Sequence, residues 1–344
     1  MTISNNTLSG REIDRTSNMG GETSKYLVEY SFVSNCTQAS ILSPAYLDGV
    51  TKRNPALLKS HIYAICTRPR ITIPNGGVII DGEKMKVTFL SQFRHAVNEI
   101  TFERPNSFGI SGLHASSEWP HTEVTFLDGE GQVRLQATAA NLLTSLASDY
   151  GIGEADEIHR DFLDLDITYI GRAYGTDGNR NAISRLSNHE TLQRIQGEMA
   201  MRRPDLDLWL VPLSFQAFSI IGEFGTWAGR VTDAEERAHA EEVERCPIPE
   251  SQRVALTEGA LIKYFDPDYN KNLKGTFPSR SHKEYSAVYS SELIGAGFDL
   301  ETTPIGTRLG STKSPHSWAH ATVFSLRTDS EKRSILDRTS PLQE

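Results

Sequence analysis

The chain has 344 residues, of which 38% are hydrophobic and 23% charged, with a formal net charge of −9 at pH 7. That length exceeds one average domain, and the composition is that of an ordinary globular protein rather than a disordered or disulfide-built one. No apolar run reaches the roughly 18 residues needed to span a bilayer, and the acid excess argues against indiscriminate adhesion to nucleic acid while leaving room for a locally basic site.

Residues 1–25 are polar with no apolar core after their charges, so they read as a flexible tail and not as a secretory signal. The cysteines, Cys36, Cys66 and Cys246, are far apart and odd in number, which predicts reduced thiols in a cytoplasmic protein rather than a disulfide framework or a zinc site. Residues 26–150 read as a β-rich N-terminal domain, with strands expected at 26–33, 71–73, 77–80 and 86–90 and a hairpin turning at Asp81-Gly82. A second hairpin is expected from 123–127 and 132–135, and a helix over 137–148. No chemical motif appears in this half.

From residue 151 the pattern becomes α/β. A strand is expected at 166–171, a helix over 181–201, and a strand at 205–213 that 216–221 continues. Thr232 or Asp233 caps an acidic helix ending near Arg245, and a further helix spans 249–265 before Asp266-Pro267 stops it. The inward stripe of that helix holds Val254, Ala255, Leu261, Ile262 and Phe265 together with Glu258. A carboxylate on an apolar stripe needs a partner or a metal. Residues 281–326 read as appended C-terminal strands, with candidates at 287–288, 293–294 and 322–326, and 327–344 as a polar tail.

The most informative stretch is 169–189, YIGRAYGTDGNRNAISRLSNH. Tyr169 ends a strand, a Gly/Asn/Asp-rich loop follows, and the predicted helix sets Arg185 and His189 four residues apart on one face. A tyrosine, an arginine and a histidine converging beside a glycine-permitted loop make a place to hold a phosphodiester. Basic residues flank it, among them Arg172, Arg180, Arg194, Lys271 and Lys274.

Tyr169-Ile170-Gly171, Arg172, Arg185 and His189, followed by Glu258, Leu261-Ile262, Pro267 and Asn270, resemble in order the signatures of the GIY-YIG nuclease superfamily. The resemblance covers roughly residues 151–280 and implies a small central antiparallel sheet flanked by helices, an α+β arrangement. It implies a metal-dependent endonuclease that hydrolyses phosphodiester bonds, with DNA as substrate. Glu258 would be the one carboxylate on a Mg2+ or Mn2+ ion. Tyr169 would position or activate the attacking water, Arg185 would pair with phosphate oxygens, Arg172 stands where the family often has a basic residue after YIG, His189 would relay a proton or orient Tyr169, and Asn270 would hold the active-site loop. The first tyrosine of the family signature has its nearest counterpart in Tyr150. One active site cuts one strand, so a double-strand cut calls for a dimer or two encounters; a homodimer or a partner protein is among the expected partners. The alternative reading is a catalytically silent nucleic-acid-binding or regulatory module on the same fold.

Overall fold

The computed structural model mixes strands and helices over the residues it describes, 26–106, 108–148, 156–175, 178–187, 189–224, 231–245, 248–278, 284, 286–290, 293–326 and 334–337. Tyr150, Cys246, the tail 1–25 and most of 327–344 lie outside the described residues. In chain order the strands are β1 (Val28–Asn35), β2 (Gln38–Ala39), β3 (Ile62–Thr72), β4 (Val78–Asp81), β5 (Lys84–Phe93), β6 (Ala96–Pro105), β7 (His114–Ser116) and β8 (Glu123–Leu127). They continue as β9 (Val133–Thr138), β10 (Leu165–Arg172), β11 (Leu206–Ser214), β12 (Ala217–Phe224), β13 (Gly295–Glu301), β14 (Leu309–Gly310), β15 (Ala319–Ser325) and β16 (Ser334–Asp337). The helices are α1 (Val50–Arg53), α2 (Ala139–Ala147), α3 (Asp156–Ile158), α4 (Ala182–Leu186), α5 (Glu190–Arg202), α6 (Asp233–Arg245), α7 (Glu250–Phe265) and α8 (Ser286–Ser290). This mixed content over several sheets is the α/β class expected from the sequence.

The central strand is β3. Its first half reads IYAICT and is buried on both faces from Ile62 to Thr67, the pattern of a strand with packed layers above and below. It runs antiparallel between β10 and β11, while Arg70–Thr72 extend it onto β5, which carries β4 and β6. On one face of this sheet Tyr63, Ile65 and Leu210 pack against Ala182, Ile183 and Leu186 of α4 and Leu192 and Ile195 of α5. On the other, Ile62, Ala64, Cys66, Ile170 and Val211 join the core that includes α2 and α7.

A second sheet has the order β12-β1-β13-β15-β16. Helix α7 packs against both β10 of the first sheet and β13 of the second. It ends at Asp266, whose φ of 47° is left-handed, and Pro267 cannot continue the helix. A third sheet, β7-β8-β9, contains the expected second hairpin.

Several expectations change. The central strand β3 comes from the segment assigned to a separate domain at 26–150, so residues 151–280 do not build their sheet alone. Strand β12 does not continue β11; it leaves that sheet and pairs along its length with β1. The C-terminal strands are not an appended layer, because β13 is bonded to β1 and β15 to β13. Residues 287–288 are helical, within α8. The helix expected over 181–201 is two helices: Asn181 and Ser184 form a capping box on α4, and His189 caps α5. Ser, Asn and His side chains compete for backbone bonds and favour such boundaries over helix interiors. Among the described residues no helix is long and apolar enough to cross a membrane.

Candidate active site

Strand β10 is paired on its outer edge by β14 only at Leu165 and Asp166. Further along, that edge is closed by the segment after α7. Asn270 accepts from the Ile170 N–H at 2.9 Å and donates to the Ile170 carbonyl at 2.8 Å, and the Tyr269 N–H donates to Thr168 O at 3.0 Å. Asn270 is buried, so the side chain does the work of a missing neighbour strand on groups that would otherwise lack partners. It fixes the backbone between Tyr169 and Gly171.

Gly171 is required there by space. A Cβ on it would lie 2.5 Å from the Tyr63 hydroxyl oxygen and 2.9 Å from the Tyr169 ring. The missing side chain lets Tyr63, from β3, lean across the neighbouring strand toward Tyr169, with ring centroids 6.3 Å apart. Tyr63 was not singled out from the sequence, although it lies in the apolar run Ile62–Cys66 that opens β3.

His189 stands behind this pair. Its Nδ1 accepts from the Leu192 N–H at 3.1 Å as the cap of α5, so the proton of the neutral ring sits on Nε2. Nε2–H therefore donates to the Tyr63 oxygen, 3.0 Å away. Burial first, and the Arg185 charge second, hold the histidine below its ordinary pKa. The expected arrangement of Arg185 and His189 on one helix face is corrected: Arg185 sits in the last turn of α4, and His189 lies beyond the helix break. His189 contacts the Tyr169 ring at 5.5 Å between centroids but makes its hydrogen bond to Tyr63.

Glu258 projects from α7 and meets Arg172 of β10, whose Nε lies 3.0 Å from Glu258 Oε2. The same guanidinium reaches Glu284 at 2.6 Å through its NH2 group. Glu258 is nearly enclosed, at 14% side-chain exposure. Burial pushes its carboxyl up to about 7, Arg172 opposes the shift, and the Glu284 charge adds to it. Tyr169 is likewise held above its ordinary value, by burial and then by the Glu258 charge, with Arg185 acting the other way. Arg185 alone does not make Tyr169 a base, so further positive charge is needed for that role.

Tyr63, Tyr169, Arg172, Arg185, Glu258 and Asn270 line one cleft of about 720 Å3. Of the six catalytic residues expected from the sequence, Tyr169, Arg172, Arg185, His189, Glu258 and Asn270, only His189 is absent from its wall. Tyr150 lies outside the described residues. Among the described residues no three His, Cys, Asp or Glu side chains group as a metal cage. The donor set fits a Mg2+ ion of the kind that keeps most of its waters and takes a single carboxylate. Glu258 can release Oε2 to such an ion without stranding Arg172, because Arg172 retains Glu284.

Comparison of the chain with protein-family models, with curated proteins and with solved structures finds no match. The site is therefore defined by its geometry.

Proposed function

We propose that the protein is a divalent-cation-dependent phosphodiesterase acting on nucleic acid, DNA first, and that its catalytic centre is of the GIY-YIG type. The observation that carries this is one cleft in which a buried carboxylate faces two tyrosines and two arginines, with a histidine bonded to one tyrosine from behind. Tyr63 then supplies the first tyrosine of the family signature in place of Tyr150, on the strand paired with the one that carries Tyr169.

In hydrolysis a water oxygen bonds to phosphorus as the bond to the leaving sugar oxygen breaks; the water gives up a proton and the sugar oxygen ends as a hydroxyl, so protons balance. Negative charge spreads over the phosphoryl oxygens, and Arg172 and Arg185 at the cleft wall are placed to take it up. Tyr169 orients the water. Tyr63, whose oxygen already accepts the His189 Nε2 proton, keeps its own hydroxyl proton free to be donated toward Tyr169 and the cleft. Asn270 keeps the strand from shifting under load. A Mg2+ or Mn2+ ion on Glu258 would supply Lewis-acid polarisation of the phosphoryl and leaving oxygens.

The second reading, a silent binding module, is favoured by one contact, the Arg172–Glu258 pair that occupies the carboxylate. Nicking of supercoiled plasmid with Mg2+ separates the two. The enzyme cuts, and Glu258→Gln and Arg185→Ala do not, while both still bind labelled DNA. Absence of Mg2+-dependent cutting by the wild type, together with retained binding, leaves the module.

A further inference from the structure

A second cavity, of about 600 Å3, opens beside the first and is lined by Tyr174, Gly175, Arg180, Ser251 and Gln252. The two cavities share Arg172, Arg185 and Glu284, so they form one trough that passes the candidate catalytic groups and continues past them. None of the residues special to the second cavity has a part in the chemistry described above.

Ala173, Tyr174 and Arg180 are held in place on either side of a turn. His61 Nδ1 lies 3.1 Å from the Ala173 carbonyl and 3.0 Å from the Arg180 carbonyl, and its N–H is shared between them. The Arg180 N–H closes the loop onto Tyr174 O at 3.2 Å. The Tyr174 hydroxyl donates to Glu250 at 3.1 Å, and the His61 ring meets the Tyr174 ring edge-on, 5.0 Å between centroids. Gly175 and Gly178, with φ of 74° and 70°, provide the left-handed backbone the turn needs. An aromatic ring is thus fixed in one orientation beside a guanidinium.

The charges are arranged unevenly. Arg172 is paired with two carboxylates, whereas Arg180 and Arg185 have no ion-pair partner among the described residues. Two guanidinium groups with no described carboxylate partner, lining one concave surface, attract an anion. A polynucleotide offers phosphates at regular intervals with a flat base between them, which suits a groove that joins arginines to an aromatic ring.

The geometry points to this second cavity as a subsite for the neighbouring nucleotide of the same nucleic-acid strand, with Arg180 on its phosphate and Tyr174 against its base or sugar. The inference rests on the nuclease reading and extends it: the enzyme grips the strand beyond the bond it cuts. Small diesters fill only the cleft of Tyr169 and Glu258. Longer strands reach Arg180.

The experiment compares wild type and Arg180→Gln in two assays. Fluorescence anisotropy with a labelled 12-nucleotide single strand in EDTA measures binding without cutting, and hydrolysis of bis(4-nitrophenyl) phosphate with Mg2+ measures the chemistry alone. Arg180→Gln is expected to weaken 12-mer binding about 5–10-fold, to flatten the dependence of log affinity on log salt by about 0.7, the value of one single-strand phosphate contact, and to leave diester hydrolysis unchanged. Tyr174→Leu should weaken 12-mer binding without changing the salt slope. Equal 12-mer binding by wild type and Arg180→Gln overturns the subsite and leaves the nuclease reading standing if the diester is still cut. Parallel loss of diester hydrolysis in Arg180→Gln also overturns it, because Arg180 then acts on the catalytic cleft. Arg180-dependent binding by a wild type that cuts nothing supports the subsite and sinks the nuclease reading instead.

Discussion

Two carboxylates in this protein each face an arginine, and their environments drive them in opposite directions. Asp205, ahead of β11, receives Arg203 through Nε at 3.0 Å and NH2 at 2.9 Å and the Arg94 backbone N–H at 2.7 Å. Those bonds, the Arg203 pair first, outweigh burial and pull its carboxyl down to about 2. Among the described residues Glu258 is met by Arg172, whose guanidinium it shares with Glu284, and burial wins, driving it up to about 7. A carboxylate with its lone pairs filled serves the fold. One that is enclosed and half satisfied is destabilising as it stands and is available to an incoming cation.

The sharpest way to break this contrast is to remove the Glu258 charge. Glu258→Gln should lower Mg2+-dependent cleavage by about 10³-fold, the scale of losing a main electrostatic stabiliser. The same variant should be more stable than wild type at pH 8, by about 1–3 kcal/mol, measured by urea unfolding. Its folded pKa stands above the ordinary 4.5, so ionisation costs stability as pH rises from 4.5 through about 7. The gain should vanish below pH 4.5. Wild-type cleavage should rise across the same interval toward pH 8 as the carboxylate forms. A Glu258→Gln protein that is less stable at pH 8 would show the charge to be well compensated, contrary to the comparison.

Gly171→Ala comes next. The added methyl displaces Tyr63 from Tyr169, and cleavage should fall about 10²-fold, the cost of a misplaced catalytic group, with binding in EDTA retained. Asp205→Asn should leave activity alone and destabilise by about 1–2 kcal/mol at pH 7. Its depressed pKa places that contribution fully above the ordinary 3.8 and removes it as pH falls through about 2, so the variant and wild type should converge in acid. Glu284→Gln is the mildest. It removes an exposed anion from the junction of the two cavities, and oligonucleotide affinity should rise about 2–5-fold; unchanged affinity would mean that Glu284 does not face the strand.

Much of the local structure was legible because it is written in short-range pattern. Helices α6 and α7, the β4–β5 and β8–β9 hairpins and strand β10 follow from periodicity, capping residues and Gly or Pro punctuation. The stripe of α7 singled out Glu258, and the clustering of Tyr169, Arg172, Arg185 and Asn270 in one cleft matches the residues chosen from the sequence, although what they catalyse is a proposal. Tyr63 was hidden for a different reason. Strand pairing across the long stretch from β3 to β10 leaves no trace in local alternation, and the same is true of β1 against β12 and β13. The break before α5 was missed because His189 was read as one more helical position, when its ring serves as the cap.

The place of β3 has a bearing on how the protein is made. Tyr63 leaves the ribosome before its partners: the strand that brings Tyr169 beside it and the helix that brings Glu258 follow only after β4–β9 have been synthesised. Those intervening strands thus start from β3 and return through β10, so their folding tethers two ends that must meet before a pocket exists. A gene fragment beginning at residue 151 would express β10 and β11 without the strand that joins them, and should emerge as an aggregating, inactive product.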